Sequence, residues 1–291
     1  MTRHLLTGSE LDADELRALL DRADALKAEP LSSRALEGRS VALIFEKHST
    51  RTRLSFEAGI FELGGQPVVL RRDELHLARG ESAGDTARVL SRHMAAIGVR
   101  TGPDALLEEL ADAATVPVFN MLTAGHHPCQ ALADLMTLRA QFGRLEGLRV
   151  AYVGDGNNVA RSLALVGAIA GVEVAVASPD GYALAGDAAG ARLTNDPVEA
   201  VDGAHAVYAD VWVSMGDEET ADARRAALAP YRLDDALLDA AEPHAFALHC
   251  LPAHPGEEVT AEVLYGPRQR IWEQAENRRH AQKALLELLC G

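Results

Sequence analysis

The sequence has 291 residues, 48% of them hydrophobic, which is enough apolar material for one large or two ordinary domains. Its 28 basic and 43 acidic side chains give a formal net charge of −15, which disfavours nucleic acid as a partner. No run of about 18 uncharged apolar residues occurs, and the N-terminus lacks the basic-then-apolar pattern of a secretion signal, so we expect no membrane association and a cytoplasmic protein.

Short apolar or β-branched runs alternate along the chain with longer segments of helical periodicity. The predicted strands cover residues 41–45, 67–70, 95–99, 116–119, 149–153, 172–177, 206–209 and 245–249. The predicted helices cover 54–63, 85–94, 128–142 and 158–169, with a helix pair in the first 30 residues. Such alternation indicates parallel sheets, so the predicted fold class is α/β, with two domains that each have a central parallel sheet flanked by helices.

The segment Gly143-Arg144-Leu145-Glu146-Gly147 interrupts this alternation near the middle of the chain. We therefore expect a first domain at residues 1–143 and a second at 144–274. No strand follows the last predicted helix, at residues 275–291, and we expect this helix to pack back on the first domain.

The three cysteines, Cys129, Cys250 and Cys290, are an odd number and lack CxxC spacing. This pattern argues against a disulfide framework and against a structural zinc site. The histidines near Cys129 and Cys250 also lack the spacing of familiar zinc sites, so no metal is expected.

A run of hydroxyl and arginine side chains, Ser49-Thr50-Arg51-Thr52-Arg53, follows the first predicted strand and opens a helix. A helix N-terminus presents unpaired N–H groups and the positive end of the helix dipole, so this segment is a candidate phosphate cradle. The alternative is an ordinary helix cap with solvated arginines.

Three further polar residues are candidates for the same site. Arg100 ends an apolar run, and ligands of open α/β sheets bind at the carboxyl ends of strands. His127 stands just before a helix start, three residues ahead of Gln130, so the two side chains could face one ligand. Taken alone, Arg100 is better explained as a surface charge and His127 as a structural histidine.

Two glycine-rich segments superficially match other enzyme classes. Gly154-Asp155-Gly156-Asn157-Asn158 follows a strand and opens a helix, as in dinucleotide-binding folds, but Val159 replaces the third glycine and no acidic residue ends the next strand. Gly80-Glu81-Ser82-Ala83-Gly84 spells GxSxG, yet the charged segment before it is a poor buried strand. We interpret the second match as chance within a loop.

Taken together, the motifs resemble those of the aspartate/ornithine carbamoyltransferase family over nearly the whole chain. Ser49-Thr50-Arg51-Thr52-Arg53 is similar to the family's carbamoyl-phosphate motif, and His127-Pro128-Cys129-Gln130 to its HPxQ motif. The segment Glu276-Asn277-Arg278 is similar to the C-terminal arginine motif. Two segments indicate the ornithine branch rather than the aspartate branch: Asp210-Val211-Trp212-Val213-Ser214-Met215-Gly216, which is similar to a DxWxSMG loop, and His249-Cys250-Leu251-Pro252, which is similar to an HCLP motif.

The resemblance implies transfer of the carbamoyl group of carbamoyl phosphate to the δ-amino group of L-ornithine, giving L-citrulline and phosphate without a cofactor. It implies phosphate contacts from Ser49, Thr50, Arg51, Thr52, Arg100 and Arg278, and carbamoyl contacts from His127 and Gln130. It also implies ornithine contacts from Asn158, Asp210, Ser214, Met215, Cys250 and Leu251. A transferase for putrescine or another amine, a dinucleotide-dependent oxidoreductase and an inactive binding relative are the alternatives.

The resemblance further implies a homotrimer, in which His76 of one subunit enters the carbamoyl-phosphate site of its neighbour. The polar segment 73–84, with glycines at 80 and 84, is suited to reaching outward from its own domain. The chain departs from the family pattern at 183–190, which is short where relatives usually carry another helix.

Overall fold

The computed structural model describes residues 2–75, 80–186, 190–214 and 218–291. The chain forms two compact units, the first made of Met1–Met136 and Glu276–Gly291 and the second of Thr137–Ala275. In the part of the chain that the structure describes, no helix has the length and apolar character needed to cross a membrane.

The strands and helices alternate through most of the chain. The strands are β1 (Ser40–Phe45), β2 (Gln66–Arg71), β3 (Ala96–Arg100), β4 (Val118–Leu122), β5 (Arg149–Val153), β6 (Glu173–Ala177), β7 (Arg192–Thr194), β8 (Ala206–Ala209) and β9 (Phe246–His249). The helices are α1 (Ala13–Ala28), α2 (Thr50–Glu62), α3 (Ala83–Leu90), α4 (Asp104–Ala113), α5 (Pro128–Phe142), α6 (Asn158–Ile169), α7 (Pro197–Val201), α8 (Ala221–Leu228), α9 (Asp235–Asp239), α10 (Ala261–Tyr265) and α11 (Ile271–Cys290).

The first unit is built on a parallel sheet of four strands in the order β2-β1-β3-β4. Strands β1 and β3 are almost wholly buried, which explains their continuous apolar sequences. Phe56 of α2 stacks on Phe119 of β4 with ring centroids 5.1 Å apart, and so joins a helix to the sheet.

The second unit has a parallel sheet of five strands in the order β7-β6-β5-β8-β9. Tyr152 and Tyr208, which are in register on β5 and β8, stack with centroids 5.5 Å apart. Small and branched side chains such as Ala151, Val207 and Leu238 fill the core around the central strands. The predicted fold class, with two parallel sheets flanked by helices, is confirmed.

Some predicted elements were wrong in detail. The first 30 residues contain one helix rather than a pair: α1 starts at a capping box made by Asp12 and Glu15, and Leu5 bridges to Phe119 instead. The GxSxG segment is not wholly a loop, because the Ser82 side chain caps α3 by accepting a hydrogen bond from the amide of Asp85 at 3.0 Å. Between β6 and β7, the described residues contain no helix.

Gly98 offers a direct test of packing in the first sheet. A Cβ at Gly98 would lie 2.5 Å from ring atoms of Phe119, whereas a Cβ at Gly102 would have no atom within 4 Å. We expect Gly98→Ala to lower the free energy of unfolding by about 1–3 kcal/mol through overpacking, and Gly102→Ala to leave it nearly unchanged. Urea denaturation of both variants checks this, and equal stability of the two would contradict the packing described for β3.

Candidate active site

The phosphate cradle predicted from the sequence lies at the carboxyl edge of the first sheet. Phe45, the last residue of β1, is in register with Arg100, the last residue of β3, so the segment after β1 starts beside Arg100. Ser49 caps α2, and its side chain accepts a hydrogen bond from the amide of Thr52 at 3.3 Å. The exposed Thr50 and half-buried Arg51 form the first turn of this helix, where free N–H groups favour an anion.

Arg278 connects the C-terminal helix α11 to the phosphate cradle at the start of α2. This residue of α11 is only 3% exposed, and its Nη2 donates a hydrogen bond of 2.8 Å to Oγ1 of the fully buried Thr52. Arg100 is also buried, at 8% exposure. Guanidinium groups withdrawn from water are well suited to bind phosphate oxygens, because they are weakly hydrated and present several donors.

His127 and Gln130 lie at the start of α5 in the same unit, and both are buried. Burial lowers the pKa of His127 well below its ordinary value, and the charges of Arg278 and Arg100 lower it further. The imidazole is therefore neutral at physiological pH. Gln130 donates through Nε2 to Asp134 at 2.9 Å, and its buried Oε1 has no hydrogen-bond partner among the residues that the structure describes.

A cavity of about 430 Å³ opens next to the cradle, on the side of β2. Its lining includes Lys47, Ser49 and Arg72 but none of the buried cluster of Arg100, His127 and Arg278. The cavity therefore borders the predicted phosphate site at Ser49, but the buried arginines of that site do not line the cavity.

Three strand ends form a second polar cluster in the second unit. Asp210 follows β8, Cys250 follows β9 and Asn157 follows β5, and these three strands are neighbours in the sheet. Asn157 donates through Nδ2 to one carboxyl oxygen of Asp210 at 2.8 Å, and the Cys250 thiol donates to the other at 2.9 Å. Asp210 is 5% exposed, so this carboxyl group is held in one orientation.

Asn157 is itself fixed by its neighbours. Its Oδ1 caps α6 by accepting from the amide of Val159 at 2.8 Å, and it also accepts from the Tyr152 hydroxyl at 3.1 Å. Burial, and next the charge of Asp210, raise the pKa of Tyr152 well above its ordinary value, so the hydroxyl keeps its proton. Asn158, the half-buried first residue of α6, was predicted as a site residue from the family resemblance, whereas Asn157 was not.

The Cys250-Leu251 segment is held in an unusual backbone conformation. Leu251 has φ of 61°, which is rare for a residue other than glycine, and its amide donates to His249 Nδ1 at 2.8 Å. His249 Nε2 lies 3.2 Å from Oε1 of the fully buried Glu258. Although burial opposes its charge, contacts with His249 and the His254 amide hold the pKa of Glu258 below its ordinary value. Neither His249 nor Glu258 was named as a site residue from the sequence.

The remaining predicted ornithine contacts lie after Asp210. Ser214 is half-buried, whereas Met215 lies outside the described residues, as does His76 in the first unit. The segment before Ser214 is anchored because Arg224 donates to the Trp212 carbonyl at 2.7 Å and pairs with Asp155.

The geometry of the second unit speaks against two other site types. A Cβ at Gly156 would lie 2.3 Å from the Leu184 nitrogen, so the chain's own backbone occupies the space that a dinucleotide pyrophosphate would need. Donor atoms of Asp210, His249 and Cys250 lie within 4.8 Å of one another, a distance that a metal ion could span. However, both ring nitrogens of His249 already face the Leu251 amide and Glu258.

The suppressed pKa of His127 predicts a pH dependence of stability. Above the unfolded pKa of about 6.5 the ring is neutral in both states, and its contribution to stability is fully present. As the pH falls below that value, the unfolded chain takes up a proton that the folded chain does not, so stability is lost until the pH reaches the lower folded pKa. We expect His127→Gln to reduce the loss of unfolding free energy between about pH 7.5 and pH 5.5. Urea denaturation measures this, with the exposed His93→Gln as control. An equal loss in wild type and His127→Gln would contradict the description of His127.

Comparisons with known proteins cover both units of the chain. Residues 3–140 match a family model described as the carbamoyl-P binding domain of aspartate/ornithine carbamoyltransferase, and residues 146–289 match the Asp/Orn binding domain. Ornithine carbamoyltransferase from Acidothermus cellulolyticus is 53% identical, with 99% of this chain and 97% of the relative covered. The protein of that name from a Parafrankia strain is 51% identical, with 99% and 96% covered.

Solved structures extend the similarity to three dimensions. Ornithine carbamoyltransferase from Pyrococcus furiosus matches with a TM-score of 0.94 at 45% identity, covering 99% of this chain and 97% of that one. The Thermus thermophilus enzyme matches with a TM-score of 0.93 at 43% identity, covering 100% of both chains. Since its two units carry the two matching family models from residue 3 to residue 289, the chain belongs to the aspartate/ornithine carbamoyltransferase family.

Proposed function

We propose that the chain transfers the carbamoyl group of carbamoyl phosphate to the δ-amino group of L-ornithine, giving L-citrulline and phosphate. The observation that carries this proposal is the Asp210 carboxyl held between Asn157 and Cys250, which suits an amine acceptor. The relatives named for ornithine, at 51% and 53% identity over nearly the full chain, support this acceptor.

The first unit would hold carbamoyl phosphate. Ser49, Thr50 and Thr52 supply hydroxyl and backbone donors at the start of α2, and three arginines, Arg51, Arg100 and Arg278, stabilise the charge that the leaving phosphate acquires. The neutral His127 donates to the carbonyl oxygen, where negative charge grows as the amine attacks. Gln130 Oε1, which is buried without a partner among the described residues, would accept a hydrogen bond from the carbamoyl NH₂ group.

The second unit would hold L-ornithine, with Asn158, Ser214 and Met215 on its α-amino and α-carboxylate groups. Asp210 and the Cys250 thiol, next to Leu251, would orient the δ-nitrogen. The neutral δ-nitrogen attacks the carbonyl carbon, a C–N bond forms, and the C–O bond to phosphate breaks. Phosphate leaves with the electron pair of that bond and takes up the proton that the nitrogen loses. Carbamoyl phosphate is already activated, so positioning carries much of the catalysis.

A panel of amines tests the acceptor. We expect citrulline formation from L-ornithine to exceed carbamoylation of putrescine by at least about 100-fold, because a site that binds polar substrate groups rejects analogues that lack them. Asp210→Asn should lower kcat by about 100-fold or more while leaving carbamoyl-phosphate affinity within about twofold.

Ureido product and phosphate are the measured quantities, and the solvent-exposed Asp222→Asn is the matched control. Faster turnover of putrescine would assign the chain to the other-amine alternative. The absence of ureido product from every amine would overturn the proposed function.

The proposed assembly is a homotrimer acting in the cytoplasm, in which His76 of one subunit completes the carbamoyl-phosphate site of its neighbour. A heterologous ring of contacts permits such sharing. The polar sequence around His76 and the family resemblance support the assembly. The three cysteines, none of which is in a disulfide, suit a reducing compartment.

Subunit mixing tests the shared site. Arg51→Ala and His76→Ala should each be severely impaired alone. When trimers exchange subunits, a site with both residues intact should form at the junction of the two variants, so about one site in three recovers. Mixed trimers, verified by mass spectrometry, without activity beyond the parents would show that His76 does not act across subunits.

A further inference from the structure

The C-terminal end of α1 contacts α11 directly beside Arg278. Lys27, in the last turn of α1, donates from Nζ to Oδ1 of Asn277 at 2.7 Å. Asn277 is fully buried and immediately precedes Arg278. The Lys27 ammonium also lies 3.8 Å from a carboxyl oxygen of Glu276. A charge-assisted bond to a buried amide restrains that turn of α11 more than a neutral bond would.

The position of this turn of α11 matters because it sets where the Arg278 guanidinium lies. The Arg278 guanidinium donates to Thr52 at 2.8 Å, in the first turn of α2. A guanidinium presents its donors in a rigid fork, so a small rotation of the helix backbone misaligns several hydrogen bonds to a phosphate at once. Lys27, which is 250 residues away in the sequence, thus acts on the residue next to a proposed phosphate ligand.

A second ion pair joins the same two helices at a distance from the site. Arg22 of α1 contacts Glu287 of α11 through both Nε and Nη2, at 2.5 and 2.9 Å. Glu287 lies nine residues beyond Arg278, or about 14 Å along the helix axis. The Arg22–Glu287 pair therefore holds α1 to α11 without touching the turn that carries Arg278, and it is a natural control.

We propose that Lys27 is a positioning residue for Arg278, whose hydrogen bond to Asn277 sets the Arg278 guanidinium against Thr52 and thereby the strength of phosphate binding. This inference rests on the proposed function, because it takes Arg278 as a phosphate ligand. Lys27 touches no substrate in this account.

Calorimetric titration with inorganic phosphate tests the role. Lys27→Met should weaken phosphate binding by about three- to tenfold, because the lost bond involves a charged donor. Lys27→Arg should restore most of the affinity, since arginine can also donate to Asn277. Arg22→Met should lower the melting temperature but leave phosphate affinity within about twofold of wild type. Steady-state kinetics should show a raised KM for carbamoyl phosphate with little change in kcat for Lys27→Met.

A double variant separates positioning through Arg278 from a general effect of charge. In an Arg278→Ala background, Lys27→Met should weaken phosphate binding no further, because the group that it positions is gone. Full additivity of the two substitutions would overturn the inference. Lys27→Gln serves in place of Lys27→Met if the methionine variant does not fold.

The two proposals fail in different ways. If Arg278→Ala weakens phosphate binding but Lys27→Met and Lys27→Gln do not, the inference fails and the proposed function stands. If Arg278→Ala binds phosphate as wild type does, Arg278 is not a phosphate ligand, and both its assigned role and the inference are wrong.

Discussion

The burial of positive charge at one sheet edge is the constraint on which the first unit depends. Arg100 and Arg278 are 8% and 3% exposed, and ionised groups this far from water are costly unless polar or charged partners surround them. Arg100 lies at the end of β3, and Arg278 of α11 donates a hydrogen bond to Thr52. The same charges help keep His127 neutral, so the site gathers positive charge without adding a third buried cation beside them.

The second unit presents a buried negative charge, whereas the first unit presents buried positive charges. Its strand ends present the Asp210 carboxyl, and both oxygens of that group are engaged by donors that do not carry a charge. Such a group attracts a cationic amine while its own orientation stays fixed. The tethers around it, from Tyr152 to Asn157 and from His249 to the Leu251 amide, are hydrogen bonds to side chains that are themselves buried. The two units therefore suit the two charges of the proposed substrates, an anionic phosphate ester and an amino acid with a basic side chain.

Much of this organisation was predictable from local sequence. Buried strands such as β1 and β3 appear as continuous apolar runs, and the polar end of β3 identified Arg100 as a candidate. Asp210 was named through the family resemblance. Several short elements were missed: β7 has three largely exposed residues, and helices α7, α9 and α10 have five residues each, too few to show helical periodicity. The longer α4 was also missed, although one face of it is buried.

Sequence patterns did not predict contacts between segments that are far apart in the chain. The bond from Arg278 to Thr52 spans 226 residues, and only the family resemblance paired them. Asn158 was named through the family resemblance, and the sequence alone does not show that the adjacent Asn157 contacts Asp210. The roles of His249 and Glu258 were likewise hidden, since their contact depends on how the chain after β9 turns back.

The claim that buried arginines hold an anion is tested most directly by the affinity of the isolated enzyme for carbamoyl phosphate, measured by rapid calorimetric titration of wild type, Arg100→Met and Arg100→Lys. Methionine retains much of the side-chain volume without the charge, so Arg100→Met should bind at least about tenfold more weakly, with Arg100→Lys between it and wild type. Wild-type affinity in a correctly folded Arg100→Met would contradict the account, because the buried charge of Arg100 would then serve the fold rather than the ligand.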